Sequence, residues 1–327
     1  MAAVSSEKID LIIYGPTKKI VDNGFPDQFV LHHFETTHDL ERLTPDVAAR
    51  ARGMAVTYNT VRGDAKTLGR FPKLEIVAAF GVGYDHVDAG YARDHNIMVT
   101  NTPDVLTEEV ADIAMGLLIA TLREFVKADR YLRAGLWQTA QFPLSPGSLR
   151  DRTVGIVGMG RIGQAIARRI EASKVPVVYH TRNPVAGLSY KHYPDLITMA
   201  KDVDTLVVIV PGGAGTAKMI NAEVMKALGP RGVIINVARG TVVDEQALVE
   251  ALRSGTILAA GLDVFEREPH VPDELKAMQN VVLLPHIGSA SVVTRNAMDQ
   301  LVVDNLKAWF AGKPPLTPVS ETPAKAR

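Results

Sequence analysis

The chain has 327 residues, more than a single hydrophobic core usually organises, so two domains of about 100 to 200 residues each are expected. Hydrophobic residues make up 46% and charged residues 22%, and basic and acidic residues number 36 each, so neither a membrane nor nucleic acid is an expected partner. The absence of cysteine excludes disulfides, thiolate metal ligands and cysteine nucleophiles.

The N-terminal third alternates short apolar runs with amphipathic stretches, a pattern that predicts an α/β domain with a parallel sheet. The first ten residues carry no charged segment followed by an apolar core, so no secretory signal is expected and the cytoplasm is the predicted location. A long helix is predicted after Asn101-Thr102-Pro103, with an apolar face that includes Val110, Ala114 and Leu118. The strands are predicted at 9–15, 54–57, 74–79 and 97–100.

A loop rich in Pro, Gly and Ser at 141–152 precedes a second α/β run. Its six predicted strands are the number expected for one doubly wound domain. A final amphipathic helix, with Val293, Ala297, Leu301 and Trp309 at helical spacing, should end near Gly312. The polar tail 315–327 should be loose unless a partner subunit holds it. The strands of this second run are predicted at 154–157, 175–179, 205–210, 233–237, 259–262 and 281–284.

A glycine-rich turn, Gly158-Met-Gly160-Arg-Ile-Gly163, stands between the first strand and the first helix of this second run. In such a turn one glycine permits the tight bend, the next lets the backbone approach a pyrophosphate, and the third lets helix and strand pack closely. The free amides at the helix N-terminus attract the anion. The context therefore predicts a dinucleotide-binding site.

The acid that binds the ribose 2′-hydroxyl of NAD in many such sites is missing. It would stand about 20 residues after the turn, but no Asp or Glu occurs from Pro176 to Ser189. Arg182 would pair with a 2′-phosphate, with Thr181 and Asn183 as further donors. NADPH is therefore predicted as the preferred cofactor, with NADH as an alternative. The competing interpretation makes Arg182 an ordinary solvated loop charge.

Three residues that follow successive apolar runs suit hydride-transfer chemistry on a 2-keto acid. Arg239 can hold a carboxylate bidentately, His286 can give or take a proton near neutral pH, and Glu268 can favour the imidazolium. Each also has a plain structural interpretation: a surface charge for Arg239 and a hydrogen-bonded structural imidazole for His286. Glu266, two positions before Glu268, is a competing carboxylate.

Taken in order, these motifs resemble those of the D-isomer-specific 2-hydroxyacid dehydrogenases. The resemblance rests on the glycine turn and on 236–245 (Asn-Val-Ala-Arg-Gly-Thr-Val-Val-Asp-Glu), 260–269 (Ala-Gly-Leu-Asp-Val-Phe-Glu-Arg-Glu-Pro) and 285–290 (Pro-His-Ile-Gly-Ser-Ala). Within the family the chain looks most like the NADPH-dependent glyoxylate and hydroxypyruvate reductases. The loop Pro211-Gly-Gly-Ala-Gly-Thr216 departs from the Pro-Leu-Thr-Pro-type turn of many relatives, which leaves the cofactor contacts of that loop open.

The resemblance implies a role for each matching residue. Arg239 would bind the substrate carboxylate and polarise the keto oxygen, His286 would protonate that oxygen, and Glu268 would orient and charge the imidazole. The backbone amides of Val82 and Gly83 would hold the other side of the carboxylate. The residues expected at the cofactor are Thr107, Gly158, Gly160, Arg161, Ile162, Gly163, Thr181, Arg182, Asn183, Val210, Pro211, Val237, Ala238, Arg239, Asp263, His286 and Gly288.

Two of these expectations have structural alternatives. Asp263 would face the nicotinamide amide or ribose, but an Asp at that place also caps turns. Trp137 resembles an aromatic residue that lines the pocket from a neighbouring subunit in related reductases, although ordinary packing is the favoured interpretation. The histidines before residue 100 have no metal-ligand spacing, so no metal site is predicted.

The predicted architecture is α/β, with two Rossmann-like or flavodoxin-like parallel-sheet domains. Residues 102–290 would form an NAD(P)-binding Rossmann domain inserted into a substrate-binding domain made of 1–101 and 291–327. The predicted function is NADPH-dependent reduction of glyoxylate to glycolate and of hydroxypyruvate to D-glycerate, by a homodimer that the resemblance implies. Two alternatives stay open: another D-2-hydroxyacid specificity, of the phenylpyruvate type or for branched 2-keto acids, or a non-catalytic nucleotide-sensing corepressor.

Overall fold

The computed structural model describes residues 8–58 and 60–322. Strands and helices alternate along most of this part of the chain. The strands are β1 (Ile9–Tyr14), β2 (Phe29–Phe34), β3 (Gly53–Val56), β4 (Ile76–Ala79), β5 (Met98–Thr100), β6 (Val154–Val157), β7 (Val177–His180), β8 (Lys191–Tyr193), β9 (Thr205–Val208), β10 (Val233–Asn236), β11 (Ala259–Leu262) and β12 (Val281–Leu283). The helices are α1 (Lys19–Asn23), α2 (Pro45–Arg50), α3 (Ala65–Leu68), α4 (Ala89–Asp94), α5 (Thr107–Leu122), α6 (Phe125–Arg133), α7 (Arg161–Ala172), α8 (Leu196–Asp202), α9 (Ala222–Leu228), α10 (Glu245–Arg253), α11 (Asp273–Ala277) and α12 (Val292–Phe310).

The chain divides into two compact units. Unit 1 consists of Met1–Leu106 and Ser291–Arg327, and unit 2 of Thr107–Ala290. The second unit is therefore an insertion in the first. Along the chain, the first change of unit falls after Leu106, at the start of α5, and the second falls between Ala290 and Ser291.

Unit 1 is built on a parallel sheet that has five strands in the described residues, in the order β2-β1-β3-β4-β5. Strands β3 and β4 are buried along their whole length, as expected for a parallel sheet that is covered on both faces. Residues of β1, β3, β4 and β5 form the core of this unit. The strand order changes direction between β1 and β3, which makes the carboxyl ends of these two strands the usual place for a ligand.

Unit 2 contains a larger parallel sheet, with seven strands in the described residues, in the order β12-β11-β10-β9-β6-β7-β8. The glycine-rich turn follows β6, the strand at which the order reverses. Helices α5 and α7 pack against each other, and α8 packs against α9. Both sheets match the predicted α/β class, and the order in unit 2 is that of a doubly wound dinucleotide-binding sheet.

The structure corrects two predictions about the C-terminal segment. The buried face of α12 includes Thr294, Met298 and Val302, whereas Val293 is 79% exposed, so the predicted face is displaced by one residue. The tail is ordered up to Thr322, because the fully buried Asn305 accepts hydrogen bonds from the amides of 316 and 317, and the amide of 319 donates to the Val99 carbonyl. Two predictions fall in part outside the described residues. These are the loose tail, for residues 323–327, and the N-terminal segment without a secretory signal, for residues 1–7.

The helices and the ionisable side chains of the described residues each exclude one feature. None of these helices combines the length and the apolar character that crossing a membrane requires. In the same part of the chain, no three His, Asp or Glu side chains are grouped so that they could hold a metal ion.

Candidate active site

The glycine-rich turn connects β6 to α7 at the point where the sheet order reverses. A Cβ on Gly158 would lie 2.6 Å from the carbonyl oxygen of Ile209, and one on Gly163 would lie 2.1 Å from the carbonyl oxygen of Gly158. Both positions therefore exclude any side chain. A Cβ on Gly160 would meet nothing within 4 Å among the described residues, so that face of the turn is open to a ligand.

The start of α7 fits a pyrophosphate. Its N-cap is Gly160, which offers no side-chain acceptor to the amides of the first turn, where Arg161 and Ile162 lie. Uncapped amides at a helix N-terminus point at an anion and carry partial positive charge. By contrast, three neighbouring helices of unit 2 begin with a side chain that accepts an amide hydrogen bond: Asp195 for α8, Asn221 for α9 and Asp244 for α10.

The loop after β7 presents Arg182 to solvent. Arg182 and Asn183 are exposed, and Arg182 makes no ion pair within 4.0 Å with any residue that the structure describes. The Thr181 hydroxyl donates to the Asn183 carbonyl at 2.6 Å, which closes the loop. The His192 ring Nε2 lies 2.9 Å from the Thr181 carbonyl oxygen, so the edge strand β8 holds the loop in place.

Strand β9 is the neighbour of β6 in the sheet, on the side away from β7, and β10 is the next strand beyond β9. Val210 is half-buried and Pro211 is exposed, and the Thr216 hydroxyl donates to the Pro211 carbonyl at 2.6 Å, which closes the loop that departs from the family pattern. Val237 and Ala238 follow β10 and are both buried.

A buried asparagine shapes the turn that carries Arg239. Asn236 is 1% exposed; its side-chain oxygen accepts the Ala238 amide at 3.1 Å, and its side-chain nitrogen donates to the Arg239 carbonyl at 3.1 Å. The Arg239 Nη1 donates to the Ala238 carbonyl at 2.8 Å. The two bonds of Asn236 hold the backbone of the turn, and the bond to the Ala238 carbonyl holds the guanidinium of Arg239.

Gly240 brings this turn into contact with the loop that carries Glu268. A Cβ at Gly240 would lie 1.8 Å from the carbonyl carbon of Phe265 and 2.3 Å from the amide nitrogen of Glu266. The two backbones therefore touch, and only glycine permits the approach. The Glu245 carboxylate also accepts the Glu266 amide, at 3.3 Å, and burial raises the pKa of Glu245. Neither role was predicted, although both residues belong to the motif that carries Arg239.

Glu268 and His286 form a close pair. The Nδ1 of His286 lies 2.7 Å from the Oε2 of Glu268, and the side chains are 27% and 28% exposed. The Phe265 amide donates to the Oε1 of Glu268 at 3.1 Å. Burial alone would raise the pKa of Glu268, but the hydrogen bond and charge of His286, the Phe265 amide and the charge of Arg239 together hold that pKa below its usual range. The carboxylate that pairs with His286 is thus Glu268, not Glu266.

Asp263 fastens the loop on which His286 stands. It is 2% exposed, and its two carboxylate oxygens accept the amides of Ile287 at 2.7 Å and Gly288 at 2.8 Å. The His286 amide donates to the Asp263 carbonyl at 2.8 Å, and His286 itself has a left-handed backbone with φ of 55°. Burial raises the pKa of Asp263, against the effect of the two amides. This anchoring role differs both from a nicotinamide contact and from a cap of the next turn.

In unit 1, Val82 and Gly83 stand in the loop that follows β4. The Asn101 side chain donates to the Val82 carbonyl at 2.8 Å, and the Thr102 hydroxyl accepts the Gly81 amide at 2.9 Å. Among the described residues, the amides of Val82 and Gly83 donate no hydrogen bond. The loop thus holds two unpaired donors in place. Thr107 begins α5 in unit 2 and is half-buried.

Trp137 does not pack in the interior of unit 2, so the favoured structural interpretation is wrong. It is 60% exposed. Six of the ten large hydrophobic residues that are exposed in the described part of the chain fall between 125 and 144. We call this segment the arm; the six residues are Phe125, Val126, Leu132, Leu136, Trp137 and Leu144.

Comparison with known proteins agrees with this geometry. The family model for the NAD-binding domain of D-isomer specific 2-hydroxyacid dehydrogenases matches residues 115–288. The chain is 46% identical to glyoxylate/hydroxypyruvate reductase A of Arabidopsis thaliana over 96% of this chain and 99% of that protein. It is 43% identical to hydroxyphenylpyruvate reductase of Plectranthus scutellarioides, with the same coverage.

A solved structure is also similar to the whole chain. This is the NADPH-dependent glyoxylate/hydroxypyruvate reductase of Sinorhizobium meliloti in complex with NADP and malonate, with 54% identity and a TM-score of 0.93 over 98% of this chain and 99% of that one. The expected resemblance to the glyoxylate and hydroxypyruvate reductases is therefore confirmed. By motifs, fold and similarity, the chain belongs to the family of D-isomer specific 2-hydroxyacid dehydrogenases.

Proposed function

We propose that the protein reduces small 2-keto acids with NADPH, converting glyoxylate to glycolate and hydroxypyruvate to D-glycerate. The observation that carries the proposal is the 2.7 Å pair between His286 and Glu268. The two residues follow β12 and β11, and Arg239 follows the adjacent β10. A proton donor, its counter-ion and an anion-binding guanidinium therefore stand at the carboxyl ends of three neighbouring strands.

The chemistry follows from the contacts of each group. The bound cofactor supplies the hydride that reaches the keto carbon. Arg239 holds the substrate carboxylate and draws electron density toward the keto oxygen. Because the Nδ1 of His286 is engaged with Glu268, the Nε2 is the nitrogen that gives the proton to that oxygen. Glu268 stays ionised, since its pKa is lowered, and stabilises the charged imidazole before the transfer.

We assign the cofactor to unit 2. The first-turn amides of α7 would bind the pyrophosphate beside Gly160, and Val210, Pro211, Val237 and Ala238 would line the cleft above the sheet. Thr107, Gly288 and His286 are proposed as further contacts. The proposed contact of Asp263 with the nicotinamide or its ribose has to use lone pairs that the amides of Ile287 and Gly288 leave free.

We assign the 2′-phosphate to the loop after β7. An exposed Arg182 without a carboxylate partner in the described residues, and the lack of any acid from 176 to 189, favour NADPH over NADH. The similar reductase of Sinorhizobium meliloti is NADPH-dependent and was solved with NADP, which supports this assignment.

We assign part of the substrate-binding site to unit 1. The unpaired amides of Val82 and Gly83 would bind the carboxylate of the substrate, and the segments 1–106 and 291–327 would together serve as the substrate-binding domain. The matching assignment for 107–290 is the NADP-binding domain.

We further propose a homodimer that acts in the cytoplasm. The exposed apolar residues of the arm are an unfavourable surface for a monomer, and a second copy would cover them. The cytoplasm is proposed because it supplies NADPH. The molar mass in solution by light scattering tests the dimer, and activity in a fractionated cell extract tests the location.

Two other functions have less support than the reduction of small 2-keto acids. An aromatic specificity has some support from the 43% identity to hydroxyphenylpyruvate reductase. A corepressor-like binding protein has none from the site, because a nucleotide sensor does not need the paired His286 and Glu268.

Steady-state rates with glyoxylate, hydroxypyruvate, pyruvate and phenylpyruvate, each with NADPH and NADH, test the proposal. We expect the largest kcat/KM for hydroxypyruvate or glyoxylate with NADPH. Faster turnover of phenylpyruvate would favour the aromatic specificity. Tight binding of NADPH without oxidation on any of the acids would favour the corepressor.

A further inference from the structure

Two positively charged side chains of unit 1 share two aromatic rings. The Lys18 Nζ lies 4.5 Å from the centroid of the Phe80 ring and 5.8 Å from that of Tyr58. The Arg295 Cζ lies 5.2 Å and 5.9 Å from the same two centroids. We call these four residues the distal cluster. None of them has a part in the chemistry assigned to Arg239, Glu268 and His286.

The distal cluster stands where a doubly wound sheet places its ligand. The strand order of unit 1 reverses between β1 and β3, and Lys18 and Tyr58 follow these two strands. Ligands of such sheets bind at the carboxyl ends of the strands at the reversal. Phe80 follows β4, two residues before Val82, whose amide is proposed to bind the substrate carboxylate. The cluster and the carboxylate amides thus belong to one edge of one sheet.

The side chains of Lys18 and Arg295 carry N–H donors that no described residue uses in a hydrogen bond. Among the described residues, neither Lys18 nor Arg295 has a carboxylate within 4.0 Å, and neither side chain donates a hydrogen bond. Contact with an aromatic face attracts a cation but leaves its N–H groups unpaired. The nearby acid, Asp299, is buried, and its Oδ1 has no hydrogen-bond partner in the described residues. Its charge raises the pKa of Lys18, but burial, the larger effect, and Arg295 lower it.

The fold holds both cations in place. Lys18 is the N-cap residue of α1, and Arg295 stands near the start of α12, two helices that pack against each other. Lys18 is half-buried against Phe80, which is 4% exposed. A ligand therefore meets donors that are already partly desolvated and positioned, which favours binding.

We propose that Lys18 and Arg295 bind the oxygen-bearing distal end of the 2-keto acid, and bind it best when that oxygen is anionic. The inference rests on the proposed reductase function and names its substrate class. A hydroxymethyl group or a second carboxylate receives charge-assisted hydrogen bonds from the two cations. A methyl group or an aromatic ring receives none and displaces water from both cations, so such substrates are disfavoured.

Two matched pairs of substrates test the proposal through ratios of kcat/KM with NADPH. Hydroxypyruvate and pyruvate differ by one hydroxyl, and oxaloacetate and 2-oxobutyrate differ by a terminal carboxylate in place of a methyl. We expect the oxygen-bearing member of each pair to be favoured by about tenfold or more, the size of a charge-assisted hydrogen bond. Lys18→Met keeps the apolar stem on Phe80 and should lower both ratios about tenfold. Lys18→Arg should restore them.

Lys19→Met is the matched control, since Lys19 is the exposed neighbour of Lys18 and is outside the distal cluster. It should leave both ratios as in the wild-type protein, and the melting temperature shows whether each variant is folded. The proposal is overturned if the wild-type protein prefers neither oxygen-bearing acid, or if Lys18→Met leaves both preferences intact. A wild-type protein that binds NADPH but does not reduce glyoxylate refutes the reductase function itself, which is a different result.

Discussion

The contact between Gly240 and the Phe265–Glu266 peptide predicts a large loss of activity from one methyl group. In Gly240→Ala the new Cβ would start 1.8 Å from the carbonyl carbon of Phe265, whereas real Cβ contacts essentially never fall below 3.0 Å. The turn of Arg239 and the loop of Glu268 must therefore separate by about 1.2 Å. A displacement of about 1 Å at a catalytic group can cost about 100-fold in rate.

We expect kcat/KM for hydroxypyruvate to fall about 100-fold in Gly240→Ala, equivalent to about 2.7 kcal/mol. The free energy of unfolding should fall by about 1 to 3 kcal/mol, the usual cost of overpacking. The affinity for NADPH, measured by calorimetry, should fall much less than kcat/KM. The glycine turn after β6 is not part of this contact, and only Val237 and Ala238 of the proposed cofactor cleft lie in the displaced turn. Activity within about threefold of the wild-type value would refute the reasoning.

Gly116→Ala is the matched control for this change. Gly116 lies in α5, and a Cβ there would meet nothing within 4 Å among the described residues. An exposed helical glycine replaced by alanine should stabilise the protein by about 0.5 to 1 kcal/mol and leave the chemistry intact.

Three further predictions concern single side chains of unit 2. Glu268→Gln should lower kcat by about 100-fold or more with little effect on NADPH affinity. Because folding lowers the pKa of Glu268, the protein with Glu268 should have a higher melting temperature than the Glu268→Gln variant at neutral pH. This difference should be lost as the pH falls through the lowered pKa. A difference in melting temperature that does not depend on pH would contradict this. Arg182→Asp should reverse the cofactor preference toward NADH in kcat/KM ratios, and an unchanged ratio would remove Arg182 from the 2′-phosphate site. Asp263→Asn replaces one acceptor oxygen by a donor, so the His286 loop should loosen and hydrogen exchange at Ile287 and Gly288 should accelerate; unchanged protection would show that Asp263 does not anchor them.

The sequence predicts the strands at the centre of each sheet and misses two at the edges. Strands β2 and β8 stand at the ends of their sheets and carry polar residues such as His32, His33 and Lys191. A strand that is only partly covered has no continuous apolar run, so hydrophobic patterning does not detect it. Patterning also misplaced the buried face of α12, because the polar residues Thr294 and Asn305 are buried there. The Asn305 side chain donates a hydrogen bond to the Leu301 carbonyl.

At the candidate site, too, the sequence predicts some features and misses others. Motif spacing was sufficient to propose Arg239, Glu268 and His286, because each follows a strand of one sheet. It did not decide between Glu266 and Glu268, since that depends on how the loop after β11 folds. Nor did it predict that Asp263 anchors the His286 loop, because the contact joins backbone amides that leave no mark in the sequence.

His286 is the proton donor in this account, so its removal is the most direct test. We would measure NADPH oxidation with glyoxylate and hydroxypyruvate in His286→Gln, together with NADPH affinity by calorimetry. The account predicts that kcat falls by about 100-fold to 10,000-fold, the range for general acid catalysis, while NADPH still binds. A His286→Gln protein that turns over at near the wild-type rate would contradict the account.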